Sequence, residues 1–172
     1  VLSACGSIGG SAFNGCSALT SVGVLSACES IGGWAFYGCS ALTSVGVLSA
    51  CKSIGGKAFG GCYSLTSVGD LSACESIGGW AFIDCTSLTN IDLSACTSIG
   101  NDAFGGCSSL TSVDLSACKS IRERAFNGCS ALTSVGDLPA CESIGSGAFS
   151  GCSIKVITFS DKPATLGDVN SL

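Results

Sequence analysis

The sequence of 172 residues contains no histidine and no methionine, only two prolines, and only 11% charged residues. Histidine is the usual general base and a frequent metal ligand, so its absence removes the most common centre of both chemistries. The sequence has seven lysine and arginine residues and 12 aspartate and glutamate residues, which gives a net charge of −5. Nucleic-acid backbones are bound by clustered basic residues, so this balance argues against a nucleic-acid partner.

Long hydrophobic runs are also missing, although 47% of the residues are hydrophobic. A membrane-spanning helix needs about 20 predominantly apolar residues. The longest uncharged stretch, residues 1–28, is repeatedly interrupted by serine, glycine, threonine and asparagine. We therefore predict no transmembrane segment. Without an initiator methionine or a signal-peptide pattern, the chain is expected to be a mature or excised segment of a longer protein.

Catalytic motifs are lacking as well. The sequence has no nucleophile elbow, no phosphate-binding loop, and no pair of carboxylates set apart from its repeated positions. Serine and threonine recur at equivalent positions, so none of them stands out as a nucleophile. We predict that the protein is not an enzyme and that it carries no cofactor and no metal.

What the sequence does contain is an internal repeat. Its 14 cysteines follow one another at spacings of 11 or 12 residues, and each unit of 22 or 23 residues has an isoleucine and a phenylalanine at fixed positions. Fixed apolar columns at this period are typical of stacked coils, in which no unit can bury its apolar face alone. The units run over 2–24, 25–47, 48–70, 71–92, 93–114 and 115–137, with a variant unit from 138.

The unit boundaries follow the pattern L-x-x-I-x-L-x-x-C-x-x-I, as in residues 88–99. This pattern is close to that of leucine-rich repeats. We predict a short parallel strand at each Leu-Thr-Ser-Val segment and a turn or 3₁₀ turn at each Gly-Gly-x-Ala-Phe-x-Gly-Cys segment. The predicted fold is a β-rich, right-handed leucine-rich repeat solenoid of about seven coils over 1–159. Residues 160–172 are predicted to be a degenerate terminal repeat or a partial cap.

The motif SIGxxAFxGCxxLTSV, as it occurs in residues 53–68, resembles the BspA-like leucine-rich repeat family. The resemblance extends over nearly all of residues 2–159. It implies a solenoid fold and a location at the cell surface or outside the cell, since members are typically surface or secreted proteins of bacteria and protists. It also implies a role in adhesion and in binding a protein or glycan.

The cysteines could form disulfides, bind a metal, or remain reduced inside the solenoid. Cysteines of one column would lie about 4.8 Å apart on successive coils, with side chains pointing in parallel toward the core. We favour reduced, buried columns in which cysteine acts as a small hydrophobic residue. The predicted structural core includes Cys28, Cys51, Cys74, Cys96, Phe36, Phe59, Phe82 and Phe104.

Two surface columns are candidates for recognition. One is an acidic stripe. It could be a binding face for a cation or a basic partner, or a column that keeps the surface soluble, and we favour the second interpretation. The other places Lys57 between Trp34 and Trp80 on neighbouring coils, with Tyr37 nearby, and predicts a cation–π stack. Such a stack reads equally as a contact patch or as a link between coils. The acidic stripe comprises Asp70, Asp92, Asp114 and Asp137.

The ends of the solenoid suggest a second function. The chain begins inside a repeat, at Val1, so we expect an uncapped N-terminal coil that could contact an assembly neighbour end to end. The main functional hypothesis is a binding module of the adhesion type. The alternative is a structural scaffold subunit that packs end to end or within a larger assembly. An ice-binding threonine array is disfavoured, because a single threonine column is present.

Overall fold

The computed structural model describes residues 4–159 and the backbone of residues 165–166. Within this range the chain forms short strands joined by turns; no helix is present there, so none could cross a membrane. The strands are β1 (Ser7–Ile8), β2 (Ser21–Val22), β3 (Ser30–Ile31), β4 (Ser44–Val45), β5 (Ser53–Ile54), β6 (Ser67–Val68), β7 (Ser76–Ile77), β8 (Ser98–Ile99), β9 (Ser120–Ile121), β10 (Asp137–Leu138), β11 (Ser143–Ile144), β12 (Thr158–Phe159) and β13 (Thr165–Leu166).

Equivalent strands of successive units pair in parallel, and this pairing makes the chain a solenoid. The largest sheet has eight strands in the order β1-β3-β5-β7-β8-β9-β11-β13. Its register aligns Ser30 with Ser53 and Ile31 with Ile54, so each residue lies beside its equivalent on the next coil. The predicted solenoid of about seven coils with short parallel strands is confirmed.

The Ser-Ile sheet was not predicted as strand. Each of its strands has only two residues, which is too short to show the alternation from which strands are recognised. In most of these strands the isoleucine faces the core and the serine is partly exposed. The stacking of identical dipeptides on neighbouring coils therefore supplies the pairing that no single unit reveals.

The Leu-Thr-Ser-Val segments form a smaller sheet than predicted. Strands β2, β4 and β6 pair in the first three units, which have 23 residues each. Beyond them the ladder is reduced to isolated bridges from Ser67 to Asn90 and from Ser112 to Ser134. The prediction of a strand in every unit is therefore wrong for the later units. The change coincides with the first units that are one residue shorter.

The apolar columns form one continuous core along the solenoid. The phenylalanine rings stack from Phe13 to Phe149, with neighbouring centroids 5.0–5.5 Å apart and nearly parallel planes. From the second unit to the sixth, the Ala-Phe pair, both cysteines and the first leucine of each unit are almost completely buried. Burial of these columns is the main force that holds coil on coil.

The first glycine of the Ser-Ile-Gly-Gly turn lets successive coils approach closely. A Cβ atom added to Gly78 would lie 2.6 Å from the amide nitrogen of Gly56 on the preceding coil. Only glycine fits such a contact between two backbones. The predicted terminal repeat or cap at 160–172 lies outside the described residues, apart from the backbone of β13.

Candidate functional site

The cysteine columns are the most regular chemical feature of the interior. The structure contains the cysteines as free thiols, buried from Cys28 to Cys141. In the column that follows the phenylalanines, each thiol from Cys39 to Cys152 donates a hydrogen bond to a phenylalanine carbonyl of the preceding coil. The Cys62 Sγ lies 3.1 Å from the Phe36 oxygen, and the Cys85 Sγ lies 3.1 Å from the Phe59 oxygen. The thiol therefore serves as a hydrogen-bond donor as well as an apolar filler.

Burial makes these thiols poor nucleophiles. It raises the pKa of Cys51 to about 11 and that of Cys62 to about 12, because the thiolate would lose its hydration. The reactive form of cysteine is the thiolate. Cys51 and Cys62 therefore stay protonated at neutral pH. Among the described residues, no group of three or more acidic, cysteine or histidine side chains has the arrangement of a metal site.

The acidic stripe is engaged in local turns. The Oδ1 atom of Asp92 accepts the amide N–H of Ser94 at 3.0 Å, and the Oδ1 atom of Asp114 accepts that of Ser116 at 2.9 Å. Asp70 bonds to Ser72 in the same way. The bonds to Ser116 lower the pKa of the Asp114 carboxyl, and the bonds to Ser72 lower that of Asp70. These contacts favour a turn-forming role over a site for an external cation.

Asp137 differs from the other three members of the acidic stripe. Asp137 is exposed and begins strand β10, where its backbone pairs in parallel with that of Thr158 in strand β12. The structure therefore aligns the four aspartates at related positions, but only Asp70, Asp92 and Asp114 make the side-chain bond to the second following residue.

The second candidate surface is a short strip that we call the aromatic ridge, made of Trp34, Lys57, Trp80 and Tyr37. The first three occupy the same position on three successive coils, directly after the Gly-Gly turn. Trp34 is 40% exposed and Trp80 is 41% exposed, and Tyr37 is exposed as well. The ridge thus presents the only two tryptophans of the chain to solvent.

The backbone of the ridge is held in an uncommon conformation. Trp34, Lys57 and Trp80 have φ angles of 62°, 57° and 57°, which lie in the left-handed region that favours glycine. Hydrogen bonds between coils fix this geometry: the Trp34 amide donates to the Gly56 oxygen at 3.0 Å, and the Lys57 amide donates to the Gly79 oxygen at 2.9 Å. The side chains therefore project from a rigid, pinned backbone.

The left-handed conformation has an energetic cost for these residues. A non-glycine residue in this region costs about 1–2 kcal/mol. The same position in the last unit is Gly147, whose φ is 62°, so the fold accepts glycine there. The backbone therefore does not require a large side chain at this position. Its left-handed φ favours glycine, so the tryptophans and the lysine are present in spite of a conformational cost.

Lys57 bridges the two indoles. Its Nζ atom lies 4.2 Å from the ring centroid of Trp34 and 5.5 Å from that of Trp80. Both distances are within the range of cation–π attraction, about 0.5–1 kcal/mol for each contact at an exposed site. The ion pairs found among residues 4–159 involve Lys52 with Glu29 and Arg124 with Glu123. Lys57 therefore has no carboxylate partner in this range.

Tyr37 extends the ridge sideways. Its ring lies 4.7 Å from that of Trp34, at an angle of 57°. The neighbouring position on the next coil is Gly60, where an added Cβ atom would lie 3.0 Å from the Cδ2 atom of Tyr37 and 3.1 Å from the Cγ2 atom of Ile83. The missing side chain at Gly60 thus leaves the space into which Tyr37 and Ile83 pack.

The sequence pattern missed several of these contributors. Gly60 and Ile83 were not singled out, although their column position relative to Tyr37 follows from the period. Tyr63, which is 53% exposed, was also overlooked because it lies alone in a column of serine and threonine. Counting the residues that break a repeated column would have identified it.

The first described coil is less covered than the others. Phe13 is half-buried and Cys16 is exposed, whereas the equivalent Phe36 and Cys39 are fully buried. The difference arises because an interior coil is covered by a neighbouring coil on each side, whereas the first described coil is covered by the second coil on one side.

A family model described as "BspA type Leucine rich repeat region" matches the chain in six copies over residues 2–72 and 53–169. No curated protein sequence is significantly similar. The solved structure of a leucine-rich repeat protein of T. pallidum is 32% identical with a TM-score of 0.77, over 86% of this chain and 70% of that one.

Two further solved structures have the same fold. A leucine-rich cell surface protein of Faecalibacterium prausnitzii is 34% identical with a TM-score of 0.81, over 89% of this chain and 42% of that one. A leucine-rich repeat protein of Bacteroides ovatus is 26% identical with a TM-score of 0.52, over 94% of this chain and 48% of that one. The chain thus spans less than half of either protein. By its repeats, its fold and these matches, the chain belongs to the BspA-type leucine-rich repeat family.

Proposed function

We propose that the chain is a non-enzymatic binding module of the adhesion type, within a surface or secreted protein, and that the aromatic ridge is its contact surface. One observation carries this proposal. Two exposed tryptophans and a lysine occupy left-handed backbone positions that glycine would fill at lower cost. A side chain held against such a cost is expected to serve a function.

The composition of the ridge suits protein recognition. Tryptophan and tyrosine are enriched among the residues that dominate binding energy at interfaces. Trp34, Tyr37 and Trp80 lie together on a backbone already fixed by hydrogen bonds between coils. A preformed surface loses little conformational freedom on binding, which favours affinity.

The location is supported by resemblance. The F. prausnitzii protein, which is 34% identical and is described as a cell surface protein, supports a position outside the cell. The thiol columns are compatible with such a location, because each buried thiol is shielded from oxidants by the coils around it.

A panel experiment tests the ridge as a contact surface. The wild-type chain, a Trp34→Ala/Trp80→Ala variant and an Asp92→Asn/Asp114→Asn variant would be coated on beads and applied to purified host and bacterial surface proteins and glycans. The proposal predicts saturable binding to at least one of them, lost in the tryptophan variant and kept in the aspartate variant. Binding that survives loss of both tryptophans, or no binding across the panel, would reject it.

A structural scaffold is the second candidate, and the first coil is the observation that favours it. Phe13 and Cys16 are more exposed than their equivalents on interior coils, so another coil stacked there would bury apolar surface. Sedimentation over a hundredfold range of concentration tests this candidate. Concentration-dependent growth that is abolished by Phe13→Ser would support end-to-end packing, and a strict monomer would exclude it.

A further inference from the structure

We propose that the ligand of the aromatic ridge is an acidic peptide segment of a partner protein, one carboxylate of which pairs with the ammonium group of Lys57. This inference rests on the proposed function and specifies its partner. It concerns Lys57, whereas the proposed function depends chiefly on Trp34 and Trp80.

The charged group of the ridge is a hydrogen-bond donor that pairs with no carboxylate in the described residues. The Lys57 ammonium makes no ion pair in the described part of the chain. Lysine and tryptophan side chains can donate hydrogen bonds but cannot accept them. The complementary ligand group is therefore rich in acceptors, as a carboxylate is.

The charge of Lys57 is not neutralised by a carboxylate in the described residues, whereas Lys52 and Arg124 each have a carboxylate partner. Lys52, on the same coil, pairs with Glu29 at 3.2 Å. Farther along the same column, Arg124 lies 3.9 Å from Glu123. Lys119, Arg122 and Lys155 also make no ion pair in the described part of the chain. Lys57 differs from them because its ammonium lies between two aromatic rings, on a chain whose net charge is −5. Charge complementarity then favours an acidic ligand.

The two indoles strengthen a pairing at Lys57. They contact the ammonium from neighbouring coils and hold it in place without neutralising its charge. Aromatic rings also displace water around the group, so an ion pair formed there is stronger than one formed by a fully solvated lysine. The left-handed φ of Lys57 and its amide bond to Gly79 fix the origin of the side chain.

The geometry favours a peptide over an acidic glycan. A sugar ring binds by stacking on a free aromatic face, but Trp34 already packs against both Lys57 and Tyr37. Trp80 also turns its ring toward Lys57. The apolar side chain of Ile83 packs beside Tyr37 at the Gly60 position, so an apolar group lies next to the ridge. An acidic peptide can offer a carboxylate to Lys57 and an apolar side chain to this neighbouring group.

Tryptophan fluorescence provides a selective test, because the only two tryptophans flank Lys57. A blocked hexaglutamate peptide would be titrated into the wild-type chain at low ionic strength, with hexaglutamine and polygalacturonate in parallel. The same titrations would be made on Lys57→Met, which keeps the length and apolar contacts of the side chain. Lys52→Met is the matched control, because it removes the same charge from the same coil.

The proposal predicts a saturable fluorescence change with hexaglutamate that weakens with added salt. Lys57→Met should lower the apparent affinity about tenfold, which corresponds to about 1.4 kcal/mol. Lys52→Met should retain wild-type affinity. An equal response to hexaglutamine, an equal loss in both lysine variants, or no response to hexaglutamate would overturn the proposal.

Tighter binding of polygalacturonate than of hexaglutamate would also overturn it and reassign the ridge to acidic glycans. The panel experiment separates this proposal from the proposed function. If a panel partner no longer binds Trp34→Ala/Trp80→Ala but binds Lys57→Met normally, the ridge is the contact surface and the proposal of an acidic ligand is wrong. Circular dichroism of each variant confirms that the coils are intact before any loss of binding is interpreted.

Discussion

The Cys62 thiol donates a hydrogen bond to the carbonyl oxygen of Phe36 on the preceding coil, at 3.1 Å. The same oxygen also accepts the amide of Cys39, at 3.1 Å. Each phenylalanine carbonyl from Phe13 to Phe126 is thus bonded both within its own turn and from the next coil. The cysteine column therefore links successive coils through thiol donors and without disulfides.

Replacement of Cys62 by alanine should lower the free energy of unfolding by about 1–2 kcal/mol. The change removes a buried sulfur atom and one hydrogen bond between coils. Guanidinium unfolding under reducing conditions measures it. The matched control is Cys16→Ala, in the same column but exposed on the first coil, which should cost less than about 0.5 kcal/mol. Equal losses in the two variants would show that the column position does not matter.

Stability should fall at alkaline pH. The pKa of a thiol in the unfolded chain is near 9.0, whereas burial raises the pKa of Cys96 to about 11 and that of Cys74 to about 12. Below pH 9 both states are protonated and the full stability is present. Above it the unfolded chain releases protons first, so stability is lost progressively up to pH about 11–12.

Guanidinium midpoints measured from pH 7 to pH 11 test this dependence. Cys74→Ala should make the decline shallower, because one group fewer differs in pKa between the folded and unfolded states. A midpoint that rises with pH, or a slope that the cysteine variant leaves unchanged, would contradict the assignment of buried, protonated thiols.

Gly78→Ala should be strongly destabilising, by about 3 kcal/mol or more. An added Cβ atom would meet the backbone of Gly55 and Gly56, at 2.8 Å and 2.6 Å, and backbone atoms cannot rotate away. Gly9 is the equivalent residue on the first coil and has no atom within 4 Å of an added Cβ. Thermal unfolding of Gly9→Ala should therefore match the wild type, and a similar loss there would refute close coil contact as the cause.

Asp84→Gly should stabilise the chain by about 1 kcal/mol. Asp84 occupies the column that is glycine in the other units, and its φ of 58° is left-handed. Glycine adopts this conformation without the steric cost that a Cβ atom brings. The melting temperature reports the change, and Asp84→Ala serves as the control. A stabilisation by alanine as large as that by glycine would place the cause elsewhere.

The sequence was sufficient for the solenoid, because the period and its columns are long-range information that survives without a structure. Phe36 and Cys62 are buried where their columns place them. The Ser-Ile strands such as β3 were not predictable, since a two-residue strand carries no periodicity of its own. Their pairing arises only when identical dipeptides stack on successive coils.

The aromatic ridge was partly visible in the sequence. The column position indicated that Lys57 lies between Trp34 and Trp80, and the structure places its ammonium against both rings. The left-handed φ angles were not predictable, because serine, tryptophan, lysine, aspartate and arginine at one position give no sign of a glycine-like conformation. That backbone geometry is imposed by the hydrogen bonds to the next coil.

Ionic quenching of tryptophan fluorescence tests the central claim, that the ridge is an exposed, pinned surface with an unpaired cation between its two tryptophans. Iodide and caesium would be compared on the wild-type chain, Lys57→Met and Lys52→Met at constant ionic strength. The account predicts stronger quenching by iodide than by caesium, with the difference abolished by Lys57→Met and kept in Lys52→Met. Stronger quenching by caesium, or a preference for iodide that Lys57→Met leaves unchanged, would contradict it.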